Sequence, residues 1–566
     1  MNPTVPSLVE VESLRTPIWK DADERLRPAP GAPLTRSTKV LVPLLILLFV
    51  LQCGWFIRTQ SFTNDEPEHI VAGVDAWRYG EYKHWHDQPP LVRMLFTLPL
   101  LRSNVTYRIT EDQVRPVSPA PEVWLNRSRP VCVALGVVML LLLWGAARRL
   151  FSEPAALFVL ALAALSPDLI AHFSVAAIDG IGCLCIFACV LQWMRYWRDP
   201  SRMQATLLGV LLGCLLLAKF NSPPLFALVL LMVLLLAPGK LRYHPQGAQW
   251  RRAGFVLLLA CLVVWAGYRF HVSRVTFADQ MVTIHFQGYT KLLQYEMPTL
   301  KTPVTILWPA CEWFTGLGMV VFHNMEGHRS FLLGQYASHG LKSYFPIAMA
   351  LKWPLLVLLL GAVGLVVVLR RRVAGARDLL LMSLLPAVYL FFAIIAHINI
   401  GVRHVLPLYP FLLLYAGAAI ETMRRWRWAT VAMVLLIAAQ AADTARYAPD
   451  YLSYFTPLVK PNDTWRLLSD SNTDWGQGFV ALRQYQAQHP GEELHLAYVG
   501  EVDPAFYGIR YTRMKEGDRP TGTLIVSATH LSGQLLKDHY AYRWLLQYPL
   551  KTVLNHTLYV FEVPAR

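Results

Sequence analysis

Residues 345–369 read "FPIAMALKWPLLVLLLGAVGLVVVL" and run straight into Arg370, Arg371 and Arg372. The run exceeds the roughly 20 residues that a helix needs to cross the hydrocarbon layer of a bilayer, so it predicts a membrane span with a basic stop behind it. Comparable runs recur at 40–57, 131–147, 154–170, 178–197, 205–220, 223–238, 253–270, 379–395, 405–420 and 429–442. Together they predict about eleven spans. Composition points the same way: 55% of the 566 residues are hydrophobic and only 16% charged, a balance foreign to soluble domains. The expected class is an all-α polytopic membrane protein.

The net charge of +15 would suggest nucleic-acid binding in a soluble chain. Here the basic residues sit beside apolar runs, as orientation signals do, and no nucleic-acid partner is expected. Arg148 and Arg149, then Arg195, Arg198 and Arg202, then Lys240, Arg242, Arg251 and Arg252, then Arg370–Arg372 and Arg377, then Arg424, Arg425 and Arg427 fall on alternate connections. Those connections share the cytoplasmic side by the positive-inside rule. With the N-terminus inside, the segments left outside are 58–130, 271–344 and the tail 443–566.

The resulting organisation is a disordered cytoplasmic tail over 1–39, a membrane domain over 40–442 and an extracytoplasmic C-terminal domain over 443–566. The last has mixed polarity and short strand-like runs such as "LHLAYVG" and "GTLIVSA", which predict a small α/β domain. The first span follows a long proline-rich stretch and reads as a retained anchor. Seven of the eight cysteines lie in predicted spans, and no disulfide or zinc pattern is visible.

Candidate chemistry begins just after the first span, in "TNDEPEHIVAGVDAWRYGEYKHWHDQPPLVRM" from Thr63. Asp65 and Glu66 are adjacent carboxylates at the expected outer surface. One reading makes them, with Glu68, the acidic cap of a helix through Ile70 to Trp77; the other makes them catalytic. Asp65 and His69 are four apart and share a helical face, but two such ligands are weak grounds for a metal, and no metal or cofactor is expected. Asp179 opens the fourth span, where an ionisable group is costly without a partner or a function.

Cations break the positive-inside pattern at Lys219 in "LLAKFNSPP" and Arg403 in "NINIGVRHVLPLYPF"; Lys352 lies inside a span. With Arg93 they form a set able to hold a phosphate, or else to snorkel to headgroups. Trp77, Tyr79, Tyr82 and Trp85 could stack on sugar rings or form an interfacial belt. The stretch "DSNTDWG" (470–476) has the acidic alternation of a calcium loop, but its glycine is one position late and its twelfth residue is Ala481. The triplet Asn104-Val105-Thr106 matches a glycan acceptor by a pattern common by chance.

Four of these stretches, "DEPEHIVAGVDAWRYGEYKHWHDQPPL", the "IDG" at Ile178, "HNMEGHRSFLLGQYASHGLKSYFPIAMALKWP" and "NIGVRHVLPLYPF", resemble in order and spacing the family 39 glycosyltransferases of the GT-C class. That family includes protein O-mannosyltransferases and the aminoarabinose transferase of lipid A. "APDYLSYFTPLVKPNDTWRLLSDSNTDWGQG" is similar to the tail of bacterial members. The resemblance runs from residue 40 to about 478 and implies transfer of a sugar from a polyprenyl-phosphate donor to a glycan, lipid or protein acceptor.

It further implies a bacterial inner-membrane location, Asp65 as catalytic base with Glu66 beside it, and substrate contacts by Asp179 and Arg403; Glu66, His69, Lys219, Lys352 and His404 are expected among the substrate-binding residues as well. Relatives place a lysine beside the double proline of the first outer loop; here Gln88 precedes Pro89, and Arg93 is taken as the substitute. The rival reading is a transporter or lipid flippase using Lys352 and Asp179 along a substrate path. The internal repeats common in such folds are not apparent.

Overall fold

The computed structural model describes residues 34–83, 87–110, 113–235, 247–278, 281–286, 290–294, 302–373 and 375–565. The N-terminal tail as far as residue 33, and Trp85, lie outside them. Within the described residues each of the eleven apolar runs falls largely on helix; the end of the run 223–238 lies outside them. Among the described residues six helices are long and apolar enough to cross a membrane: Arg36–Thr59, Pro121–Leu150, Ile178–Arg198, Gln249–Gly267, Ala376–Ile395 and Val402–Met423. Shorter apolar helices such as Glu153–Ala164 and Arg202–Leu216 pack among them. The chain is therefore mostly helical and built as a multi-pass membrane protein.

Helix starts follow local chemistry. The Thr35, Ser166 and Ser201 hydroxyls accept from the amides of Thr38, Leu169 and Gln204, satisfying donors that a helix end leaves orphaned. The opening run of the sequence does not form one straight rod. Tyr344–Lys352 and Leu355–Leu369 meet at a 117° bend. Pro354 has no N–H to give and forces Trp353 into extended backbone, with ψ 145°. Beyond the bend, Gly361 and Gly364 let the second helix lie backbone-close to Leu412 and Tyr415.

The basic connections gather at one end of the bundle. Arg198 pairs with Asp378, the Arg252 guanidinium donates to the Pro200 carbonyl at 2.7 Å, and Arg377 stacks over Trp197. Asp65, Asp179, Lys219 and Arg403 meet at the other end. Residues 271–344, expected as a long loop, contain a four-stranded antiparallel sheet with order Thr290–Gln294, Met281–His285, Val272–Ala278, Val304–Pro309. The helix Cys311–Glu326 follows it.

The tail ends in a five-stranded mixed sheet with order Thr512–Arg513, Leu494–Ala497, Gly522–Ser527, Leu558–Val563, Leu550–Leu554. The first three strands are parallel and the last two pair antiparallel. Parallel neighbours need a crossover, and here the chain after Ala497 makes it with only the short 3-10 turn Pro504–Tyr507. The chain leading into this sheet is no free linker. Asn64 donates to the Trp475 carbonyl at 2.7 Å, Ser61 to that of Gln477 at 3.0 Å, and Thr456 to that of Leu351 at 2.9 Å. The segment after the first span is thus sewn to residues 475–477, which brings the tail to the site.

Candidate functional site

Four segments far apart in sequence converge at the Asp65 end. Asp65 stands at the N-terminus of the helix Glu66–Arg78, with helical backbone and no capping bond from its own side chain. Arg403 Nη1 donates to Asp65 Oδ2 at 2.7 Å, and Trp475 Nε1 donates to Asp65 Oδ1 at 3.2 Å. The Trp475 ring also lies beneath the guanidinium, 4.1 Å from Cζ to centroid, a cation–π contact that fixes its plane. Arg403 Nη1 is 3.6 Å from Asp179 Oδ2, and Lys219 Nζ donates to Asp179 Oδ1 at 2.5 Å. The result is a chain of alternating charge: Asp65, Arg403, Asp179, Lys219.

Solvent reaches this chain unevenly. The Asp65 side chain is 28% exposed, against 2% for Asp179 and 9% for Arg403. Arg403 Nε and Asp179 Oδ2 make no hydrogen bond among the described residues. A guanidinium has five donors in a planar fork, and those of Arg403 are not all used, which leaves some in reserve.

The adjacent carboxylates have separate tasks. Glu66 is fully buried, its two oxygens taking Arg129 Nε at 2.9 Å, Arg129 Nη2 at 2.7 Å, and the amides of Thr63 and Ala176. A second carboxylate next in sequence would by its charge raise the pKa of Asp65. Burial does oppose ionisation of Asp65, but Arg403 beside it, with His69, holds the carboxyl below the usual range. Glu68 is raised instead, by burial and by Glu501 from the C-terminal sheet region, and Glu501 is raised by burial and Asp65.

His69 is buried, and Arg93 Nε donates to its Nδ1 at 3.2 Å. Burial and that guanidinium push the imidazole down to about 3, so it is neutral with the proton on Nε2. Arg93 also reaches the Gln88 carbonyl at 3.3 Å and lies 3.5 Å from Asp87. Among the described residues no three metal-ligating side chains converge.

Lys352 stands apart from the other sequence-selected cations. Its ammonium donates to the carbonyls of Leu452 and Asn472, at 2.9 and 2.5 Å, and lies over the Phe455 ring. Asn472 passes the constraint on: its Oδ1 accepts from Val402 N at 2.9 Å, the residue before Arg403. Ser471 Oγ donates to the Ile400 carbonyl at 2.7 Å and sits where a Cβ on Gly401 would be. Lys352 therefore fixes the turn that presents Arg403. The His404 carbonyl accepts from the Tyr389 hydroxyl at 2.8 Å in the same turn.

Trp77 donates to the Met94 carbonyl and Tyr82 to that of Gly267, so both serve packing, while Tyr79 is exposed. Trp475, Asn472, Arg129 and Glu501 were missed by sequence reasoning. The first two lie in the stretch 470–476, weighed as a calcium loop, and in the longer run similar to the tail of bacterial members, but neither reading singled them out.

Residues 127–267 match the model of the dolichyl-phosphate-mannose-protein mannosyltransferase family. The matched part contains Arg129, Asp179 and Lys219, and stops short of Arg403. No curated protein matches by sequence. Among solved structures, ArnT from Cupriavidus metallidurans bound to undecaprenyl phosphate aligns at 12% identity and TM-score 0.44, over 94% of this chain and 98% of that one. The protein O-mannosyltransferase Pmt1-Pmt2 complex of S. cerevisiae bound to the sugar donor aligns at 11% identity and TM-score 0.46, over 78% and 92%. At that distance neither transfers a residue role. Through its central helices and around Asp179 and Lys219, the chain carries a segment similar to the dolichyl-phosphate-mannose-protein mannosyltransferases.

Proposed function

We propose that the protein is an inverting glycosyltransferase that moves a sugar from a polyprenyl-phosphate donor to an acceptor hydroxyl or phosphate at the extracytoplasmic face of a bacterial inner membrane. The observation that carries the reading is the alternating chain Asp65, Arg403, Asp179, Lys219 at the non-basic end of an apolar bundle. The amphiphilic donor matches such a place, with prenyl chain in the bilayer and phosphate among cations.

Asp65 takes the proton of the acceptor O–H. The acceptor oxygen bonds to the anomeric carbon as the bond from that carbon to the phosphate oxygen breaks. The polyprenyl phosphate leaves with the electron pair, and one base suffices for inversion. Arg403 and Lys219 stabilise the charge on the leaving group. In the free protein Arg403 holds Asp65 below the usual carboxylate range, which makes it a weak base. A donor phosphate on the reserve donors of Arg403 shares that positive charge and raises the basicity of Asp65. The base is thus strengthened only when the donor is in place. Asp179 keeps Arg403 and Lys219 together, Trp475 orients both ends of the Asp65–Arg403 pair, and Glu501 brings the tail beside Asp65, on the acceptor side.

The test uses purified protein in vesicles with a panel of radiolabelled polyprenyl-phosphate sugars and total membrane extract as acceptor. The expected result is release of polyprenyl phosphate with label on an acceptor. Movement of intact sugar-lipid between leaflets, with no release, would establish the flippase reading instead.

A further inference from the structure

The helix Cys311–Glu326 is fastened at both ends to the site end of the bundle. At its start, Trp313 Nε1 donates to the carbonyl of Leu216, the last residue of Arg202–Leu216. Beside it, Ala310 N donates to the carbonyl of His271, just past the helix Gly247–Gly267. At its finish, Asn324 Oδ1 accepts from the amide of His397, just past Leu384–Ile395, and His328 N reaches the His397 carbonyl. All these anchors are ends of apolar helices on the side of Lys219 and Arg403. A 16-residue helix is about 24 Å long, so this one runs along the bundle's end, parallel to a membrane surface and not through it.

Its faces differ sharply. Glu312 and Gly316 pack against the protein. Phe314, Val321, Phe322 and Met325 follow at i, i+7, i+8 and i+11, form one stripe on the opposite side, and are 48, 52, 61 and 68% exposed. A stripe of this kind facing water is unfavourable. The neighbouring span Gly247–Gly267, tied to this helix through the Ala310–His271 hydrogen bond, also exposes apolar side chains: Leu258 and Leu262, with Phe270 at its end. Aromatic pairs stand on either side of the Ala310–His271 hydrogen bond, Trp265 on Phe270 and Trp308 on Phe314. Aromatic side chains gather at the depth of lipid headgroups.

We propose that Cys311–Glu326 is an in-plane interfacial helix whose Phe314–Met325 stripe is seated in the acyl layer of the leaflet that borders the candidate site. The occupant of the apolar face is lipid, as for other amphipathic helices lying in the interface.

The test needs no sugar donor and so stands or falls apart from the transferase reading. Phe322→Cys, on the stripe, and His323→Cys, about 100° around the helix from it, are each labelled with bimane in the full chain and reconstituted in phosphatidylcholine vesicles. Labelled wild-type protein gives the background. The expected result is quenching at position 322 by acyl-brominated lipid several-fold stronger than at 323, with the reverse order for aqueous iodide. Equal quenching by iodide at both positions would overturn the proposal. So would insensitivity of position 322 to both quenchers, together with oxidative cross-linking of Phe322→Cys between two copies, which would assign the stripe to a dimer.

Discussion

Two arginine–carboxylate pairs stand next to each other where the chain leaves its first span, and they differ in every respect except composition. In Glu66–Arg129 both side chains are inaccessible, and Arg129 also donates to the carbonyls of Gln60 and Ser61. In Asp65–Arg403 the carboxylate is open to solvent and the guanidinium is divided between Asp65, Asp179 and the Trp475 ring. The closed pair holds the backbone that precedes Asp65; the open pair leaves its carboxylate accessible, as the proposed function requires. Neighbouring residues of one helical turn point about 100° apart, which suffices to send one carboxylate into the core and the other into the cleft.

The contrast predicts opposite responses to substitution. Arg129→Met removes one partner of a buried pair and strands Glu66, at a cost of about 3–5 kcal/mol. Thermal unfolding in detergent should show that loss, and the molecules that remain folded should keep their specific activity. Arg403→Gln should leave folding largely intact and lower transfer by roughly 10²–10³-fold, as removal of a charge-stabilising donor does. If Arg403→Gln unfolds the protein while Arg129→Met does not, the assignment of closed and open pairs is reversed.

The pH dependence sharpens the same comparison. Burial raises the carboxyl of Asp65, but Arg403 outweighs it, so the free protein keeps Asp65 ionised to lower pH than usual. A depressed pKa contributes stability that is present above the usual carboxylate range and lost as pH falls through the depressed value. The acid limb of kcat/KM should therefore lie below the usual range in the wild type. In Arg403→Gln it should move to higher pH, and an unmoved limb would remove Asp65 from the role of essential base.

Two smaller effects follow from the tail. Asn472→Ala breaks the link between Lys352 and the turn before Arg403, leaving the Val402 amide and Tyr344 hydroxyl without partners, at a cost of about 1–3 kcal/mol. It should lower both melting temperature and kcat. Trp475→Phe keeps a ring under Arg403 and deletes one hydrogen bond to Asp65, worth about 1.5–3 kcal/mol for a charged acceptor at most. Steady-state kinetics should show a drop in kcat with donor KM little changed.

The membrane architecture was legible because hydropathy over a long run is a local property: the runs at 40–57 and 178–197 needed no knowledge of their neighbours. Asp65, Asp179, Lys219 and Arg403 were legible as exceptions, charges where an apolar or orientation pattern has no use for them. Their connection was not, since Asp65 and Arg403 are 338 positions apart and Asp65 and Trp475 are 410 apart. Lys352 was an exception of the same kind, yet it satisfies two backbone carbonyls, and depth in a span does not distinguish a ligand-binding cation from a bonded one. The sheet within 271–344 escaped because its strands are short and do not all alternate: Met281–His285 buries Val282 and Ile284 in alternation, whereas Val304–Pro309 is exposed along most of its length.

The central claim is that Asp65 takes the acceptor proton while Arg403 answers for the phosphate. Its most direct test is single-turnover transfer from a radiolabelled polyprenyl-phosphate sugar by wild type and Asp65→Asn, at equal folded amounts, with donor binding measured in parallel. The account predicts retained donor binding and a rate lower by roughly 10²–10⁴-fold, the contribution of a positioned general base. Transfer by Asp65→Asn at the wild-type rate would contradict it.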